Sequence, residues 1–448
     1  MPAASDPAPA PVSAHPPGTG TGSAAGSWLS RQPPVVLALW AMAAAFTAYG
    51  CMYAFRKPFS AATYAGVGMF GIDYKALLVV SQLLGYTVSK FLGIKFVSEA
   101  TAARRVGMVL LLIGIAELAL LFFALTPAPW NAAWMVLNGL PLGMVWGLIF
   151  AFLEGRRVTE FMALGLSLSL VFSSGWVKAA GLHTMQAWHV TELWMPFVTG
   201  ALFLPLLLLA LWMLAVLPPP DAADMAARTR RQPMDREARH AFLRRHWVGV
   251  VLLVGGYLLL MTYRDVRDNF QVDILKDLGF QADAGQLAAM ETRVGFAVIL
   301  MLGLFALIRS NRFALIGCCV LIAVGGVMAG TATVMLEKGQ MEPLTWMTVT
   351  GVGLYAAFIP YQAILFERML ASLRVVGTAS FLIAMCDSYG YLSTVILYLI
   401  KAFGHFSISW LRVLSAGGYV LGLGLPVLMA AAAVVLNRAR PHSHPAES

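Results

Sequence analysis

Long apolar runs separated by short polar breaks dominate the chain, and nowhere does a two-residue alternation persist. Runs of about 20 residues match the length that carries a helix across a hydrocarbon core. They fall near Val35–Phe55, Ala76–Phe96, Val106–Leu125, Trp130–Leu153, Phe161–Leu182 and Met195–Leu217. After an interruption they resume near Trp247–Tyr263, Leu287–Ile308, Phe313–Met335, Leu344–Phe366, Thr378–Leu399 and Val413–Leu436. Lipid offers the backbone no hydrogen-bond partner, so such runs predict helices rather than a barrel. The pattern predicts an all-α polytopic membrane protein with twelve transmembrane helices in two six-helix halves.

The breaks divide the chain. Residues 1–34 hold eight Pro, four Gly and only two charges, Asp6 and Arg31, cannot build a core, and are expected to form a disordered cytoplasmic tail. They lack the basic start and short apolar core of a cleavable leader, so the first span is expected to be retained. The halves are expected at 35–217 and 247–436, joined by a cytoplasmic linker at 218–246 that opens Pro218-Pro219-Pro220 and carries seven Arg between Arg228 and Arg245. Residues 437–448 are expected to form a second cytoplasmic tail. The halves echo each other: Gly147 to Arg156 resembles Pro360 to Arg368 at an offset of 212 to 213, and Arg56-Lys-Pro-Phe59 resembles Arg267-Asp-Asn-Phe270 at 211. Nearly equal offsets in the same order predict a pseudo-symmetric, duplicated unit.

Composition sharpens the class. The chain is 59% hydrophobic and 12% charged, against roughly 25% charged in ordinary globular proteins, which excludes a soluble enzyme. Its net charge of +9 does not argue for nucleic acid, because membrane proteins gather Lys and Arg in cytoplasmic loops. With both termini inside, 19 of the 31 Lys and Arg fall on the linker side and 10 on the other, with Lys90 and Lys178 within spans. Cys51, Cys318, Cys319 and Cys386 all sit in apolar runs, so neither a disulfide framework nor a metal site is expected. No cofactor and no enzymatic activity are expected, since no acidic or histidine cluster with catalytic spacing stands near a span end.

Charges at membrane depth call for a partner, a cavity or a function. Tyr49, Tyr53, Arg56 and Lys57 fall at i, i+4, i+7 and i+8 and are expected on one helical face, either binding an anion or snorkelling to the interface. Gln82, Tyr86 and Lys90 form a second polar stripe beside Ser89. Ser174 and Lys178 share a face of the fifth span, and Asp387 with Tyr391 one turn on marks the eleventh, where it suits a proton carrier or an ion-pair partner. Arg264 and Asp268 are spaced for an i, i+4 ion pair. Glu117 reads as a lone structural carboxyl. Together Arg56, Lys57, Lys90, Lys178, Arg264 and Arg267 outnumber Glu117, Asp265, Asp268 and Asp387, and a cavity lined by cations attracts anions; guanidinium groups match phosphate oxygens.

At these residues the chain resembles the major facilitator superfamily, and within it the organophosphate:phosphate antiporter branch. Tyr53-Ala-Phe-Arg56-Lys57 is similar to the aromatic run ending in Arg-Lys in that family's first helix, and Gly85-Tyr86-Thr-Val-Ser89-Lys90-Phe91 to its second-helix Tyr-x-x-Ser-Lys-Phe. Gly139-Leu-Pro-Leu-Gly143-Met144-Val-Trp146 is similar to its Gly-x-x-x-Gly-Met-x-Trp, and Pro360 and Gly377-Thr378-Ala379 also fit. The resemblance implies phosphate binding by Arg56 and by a second arginine in the seventh span: the repeat offset favours Arg267, direct comparison a position nearer Tyr263 or Arg264. It implies substrate contacts from Lys90. The family's fifth-helix histidine has no match here, Ser173, Ser174 and Lys178 standing in its region. The superfamily's acidic gating loop is reduced to Glu99 with Arg104 and Arg105, and Arg309-Ser-Asn-Arg312 has no acid.

The resulting expectation is a monomeric secondary transporter of a bacterial inner membrane. It moves a small organic anion, phosphate-bearing, by alternating access, through phosphate antiport or proton coupling. Substrate contacts fall to Arg56, Lys57, Lys90, Tyr53, Tyr86, Arg264, Arg267 and Lys178. The alternative is a transport-inactive receptor of the same fold, which the degenerate gating loops favour. Its expected orientation is checked by fusions: alkaline phosphatase is expected to be active when inserted after Gly339 and inactive after Ser448, and the reverse pattern contradicts a cytoplasmic C-terminus.

Overall fold

A computed structural model describes residues 24–64, 68–69, 72–98, 102–153, 159–219, 236–305, 308, 310–373, 380–403 and 408–438. The apolar runs of the first half become α2 (Pro34–Met52), α3 (Tyr74–Ser98), α4 (Ala102–Leu125), α5 (Ala132–Leu153), α6 (Thr159–Trp188) and α7 (Met195–Ala215). Those of the second become α8 (Arg236–Asp277), α9 (Ala284–Phe305), α10 (Asn311–Glu337), α11 (Pro343–Ala363) with its bent continuation α12 (Leu365–Ser372), α13 (Ser380–Phe403) and α14 (Trp410–Arg438). A two-residue antiparallel pairing, Gly68–Met69 with Ile72–Asp73, precedes α3. Among the described residues nine helices are long and apolar enough to cross a membrane, and ten if α11 and α12, bent by 48°, count as one.

Two expectations change at the edges. Part of the N-terminal segment expected to be disordered is a helix, α1 (Ala24–Leu29), because Leu29 is buried and the Trp28 ring meets Trp40 at 6.3 Å. Residues 1–23 lie outside the described set. The end of the expected linker is likewise helical: α8 starts at Arg236 and breaks at His246 (φ −114°, ψ 18°), with Phe242 packed edge-on against Phe381. Residues 220–235 lie outside the described set.

Polarity is arranged from outside in. Leu300, Phe313, Leu423 and Val427 are among the most exposed side chains, whereas Lys57, Lys178, Arg267, Asp268 and Glu291 are buried. An apolar outer surface around a polar interior is what a lipid solvent requires. Within the first half α3 packs along α5 and α2 along α6 and α7; within the second α10 packs on α14 and α11, and α8 on α13 and α14. Among the described residues, besides a smaller contact of α6 on α11, the halves meet through two helix pairs, α6 with α9 and α3 with α13. Counted as spans, these are the fifth with the eighth and the second with the eleventh, and a shift of six exchanges one pair for the other. This is the contact pattern of a duplicated unit related by a pseudo-two-fold axis.

The α3–α5 crossing needs glycine. A Cβ on Gly85 would stand 2.0 Å from the Val136 carbonyl oxygen, and one on Gly139 would stand 2.1 Å from that of Gln82. Both obstacles are backbone, so neither yields to a rotamer change, and small residues at such crossings let membrane helices approach closely. Gly139→Ala is expected to destabilise the protein by about 1–3 kcal/mol, read as a lowered melting temperature in detergent; an unchanged value contradicts the crossing.

Candidate functional site

The site begins where the first transmembrane helix stops. Helix α2 ends at Met52 and continues as a 3-10 turn, Tyr53–Phe55. Carbonyls freed there are met by side-chain amides: Asn138 Nδ2 donates to Phe55 O (2.9 Å) and Ala116 O (3.0 Å). Gln82 Nε2 donates to Arg56 O (2.9 Å) and Asn138 Oδ1 (2.7 Å). Because the α-helix has ended, Arg56 and Lys57 do not share one helical face as the spacing predicts. Lys57 turns to the other half, and Arg56 to the tyrosines.

Lys57 joins a buried ionic layer between the halves. Its Nζ lies 2.5 Å from Asp268 Oδ2 and donates to Asn269 Oδ1 at 2.8 Å. Lys178 Nζ approaches the same carboxylate at Oδ1 (3.0 Å) and donates to Asp268 O (2.9 Å) and Gln271 Oε1 (2.7 Å), while Ser174 Oγ donates to Asp268 Oδ1 (2.5 Å). Lys178 is 0% exposed, Lys57 6% and Asp268 7%. Gln271 extends the layer by donating to Glu291 Oε1 (2.7 Å), which pairs with Arg267 Nη1 at 3.2 Å; Arg267 Nη2 donates to Met347 O at 2.9 Å. Farther along, Lys75 Nζ meets Asp273 Oδ2 at 2.5 Å and Ser60 O at 2.7 Å. A break in α8 at Phe270, whose ring stacks on Trp410 with centroids 3.6 Å apart, lets Asp268 before it and Gln271 and Asp273 after it all reach the first half. This ionic layer and the Lys75–Asp273 pair lie on the side away from the linker.

Beside this layer lies a second, more open stratum. The Arg56 guanidinium stands 4.1 Å from the Tyr86 ring centroid and 6.0 Å from that of Tyr53. Arg56 is half-buried, its Nε has no hydrogen-bond partner, and among the described residues no carboxylate lies within ion-pair distance of it. Arg264 retains 18% side-chain exposure and lies 4.6 Å over the Phe358 ring. It pairs with its neighbour Asp265 at 2.8 Å and not with Asp268, whose carboxylate the two lysines of the other half occupy. Tyr391, from the second half, meets Tyr86 at 5.4 Å and lies within electrostatic range of Arg56, Arg264 and Asp387. Asp387 Oδ1 accepts from the Tyr257 hydroxyl and from Gln362 Nε2 (3.1 Å).

The structure thus divides the sequence-derived candidates. Arg56, Tyr86, Arg264 and Asp387 come together around Tyr391, with Tyr53 beside Arg56; Lys57, Lys178 and Arg267 are engaged by acids, and Arg264 by its neighbour Asp265. The side chain of Lys90 lies outside the described set, as does Glu99. Of the gating cations, Arg104 is exposed and Arg105 Nη1 donates to Ala151 O at 2.8 Å. Sequence reasoning passed over Glu291, Gln271 and the Lys75–Asp273 pair; Glu291 alone carried a signal, as a carboxylate inside an apolar run.

The family described as "Family of unknown function (DUF5690)" matches residues 58–439, and the chain belongs to it. No curated protein matches by sequence. Solved structures similar to the chain include a D-xylose-proton symporter (14% identity, TM-score 0.61, covering 90% of this chain and 97% of the other). Also similar are the nucleoside transporter NupG as its D323A mutant (11%, 0.57, 89% and 99%) and a bacterial homologue of the human drug peptide transporters PepT1 and PepT2 (12%, 0.59, 89% and 98%). These likenesses show the major facilitator fold, and the long apolar helices are those of a multi-pass membrane protein.

Neutralising Asp268 strands two buried ammonium groups, so Asp268→Asn is expected to destabilise by about 3–5 kcal/mol. Lys57→Met leaves Lys178 on the carboxylate and is expected to cost less. Equal losses in thermal unfolding contradict a shared carboxylate.

Proposed function

We propose that the protein is a secondary transporter that moves a small solute through its acidic group, working by alternating access in a bacterial inner membrane with both termini cytoplasmic. One observation carries this reading: Arg56 is a half-buried interior cation, stacked on Tyr86, with an unpartnered Nε and no carboxylate beside it among the described residues. A cation in that position is stabilised by an incoming anion. Arg264, from the other half, and Arg56 both lie within electrostatic range of Tyr391, so one solute group bridges both halves, as an alternating-access site between repeats requires. The ionic layer centred on Asp268 closes the pathway on the side away from the linker. Guanidinium forks favour phosphate and carboxylate alike; the motif resemblance favours a phosphate-bearing solute, and exchange for inorganic phosphate or proton coupling supplies the driving force. The transporter acts as a monomer, without nucleic acid.

The test is radiolabelled phosphate exchange in proteoliposomes preloaded with phosphate, glycerol phosphate or sugar phosphates, beside Arg56→Gln and Lys90→Gln. Loss of a charge-assisted contact is expected to lower exchange about 30-fold in Arg56→Gln. Exchange unaffected by Arg56→Gln contradicts the site, and binding without any exchange replaces the transporter by a receptor.

A further inference from the structure

Asp387 is not explained by an acid-binding site alone. It stands on the inward face of α13 with Tyr391, Thr394 and Tyr398, opposite the exposed Leu392, Ile396 and Ile400. Both of its described donors, the Tyr257 hydroxyl and Gln362 Nε2, engage Oδ1, and Gln362 Nε2 also donates to Tyr257 Oη at 2.7 Å. Among the described residues none donates to Oδ2, and Oδ2 is not one of the atoms sealed from the interior space. Both donors are spent on one oxygen. The other oxygen is left for a donor that is not part of the described chain.

The surroundings favour a cationic donor. The half-buried Asp387 lies beside Tyr257 and within electrostatic range of Tyr391, and aromatic faces next to a carboxylate attract ammonium groups. Arg56 lies 4.1 Å from the Tyr86 ring, which in turn meets Tyr391 at 5.4 Å. A negative and a positive group therefore both stand near one pair of tyrosine rings.

From this juxtaposition we infer that the solute is a short zwitterion, its acidic group held by Arg56 and Arg264 and its ammonium group by Asp387 Oδ2 within the Tyr257–Tyr391 aromatic wall. The inference rests on the proposed anion site and adds the second pole to it. It excludes simple organophosphates and carboxylates as the preferred solutes.

Matched probes that differ only in the amine test it: 4-aminobutyrate against butyrate, and phosphoethanolamine against ethyl phosphate. Affinity is read as the concentration dependence of thermal stabilisation of the full-length purified protein. A charge-assisted contact makes the amine-bearing member of at least one pair bind about tenfold more tightly. In Asp387→Asn that preference is expected to disappear while the deaminated member keeps its affinity; Arg56→Gln is expected to weaken both members of the pair. Equal binding within both pairs, a preference that survives Asp387→Asn, an Asp387→Asn loss shared by both members, or no stabilisation by any probe overturns the inference. Arg56-dependent binding of the deaminated acids alone overturns only the second pole and leaves the anion site standing.

Discussion

One carboxylate shared by two lysines holds the halves together. Asp268 of the second half receives Lys57 and Lys178 of the first, at 2.5 and 3.0 Å. Burying three charges is tolerable only because each finds a partner, and Ser174, Asn269 and Gln271 complete the hydrogen bonds that low dielectric makes obligatory. Removing one member of such a junction leaves an uncompensated buried charge. With Arg267 and Glu291 the layer has three cations and two acids, and it borders the stratum that holds Arg56.

The same layer accounts for how the cations divide. From the sequence, six basic side chains look like one anion trap. In the structure Lys57, Lys178 and Arg267 are occupied by acids, Arg264 pairs with its neighbour Asp265 over the Phe358 ring, and Arg56 stands against the Tyr86 ring. The division rests on a local backbone event: the first helix stops at Met52, amides from Gln82 and Asn138 accommodate the ending, and adjacent residues aim at different targets. Solved structures with the same fold carry a sugar, nucleosides or concern drug-peptide transporters. The fold is thus compatible with many solutes, and under the proposed reading the choice falls to the chemistry at Arg56, Arg264 and Asp387.

Helix positions were legible in the sequence because the solvent is lipid: a span must be long, apolar and helical, and each predicted run has its helix. The polar interior was legible as a list of charges, since any ionisable group at depth is conspicuous. Its pairing was not. Lys57 and Asn269 are 212 positions apart, and Lys178 and Asp268 are 90 apart, so helical spacing, which sees only i+3 and i+4 neighbours, offered Arg264 to Asp268 instead. Spacing also assumed an unbroken first helix and so placed Arg56 with Lys57. Polar residues such as Gln271 and Gln362 gave no sequence signal, because their importance lies in what they bridge.

The central claim is that the halves rock about a solute site, closed by Asp268 on one side. Distances between nitroxide labels at Trp188 and Lys338, on opposite halves away from the linker, and between labels at Arg104 and Asn311 near it, test this most directly by pulsed electron paramagnetic resonance. The account predicts one short Trp188–Lys338 population in the wild-type protein; in Asp268→Asn a second, longer population emerges while the Arg104–Asn311 distance shortens. Unchanged distributions at both pairs, or lengthening at both, would contradict it.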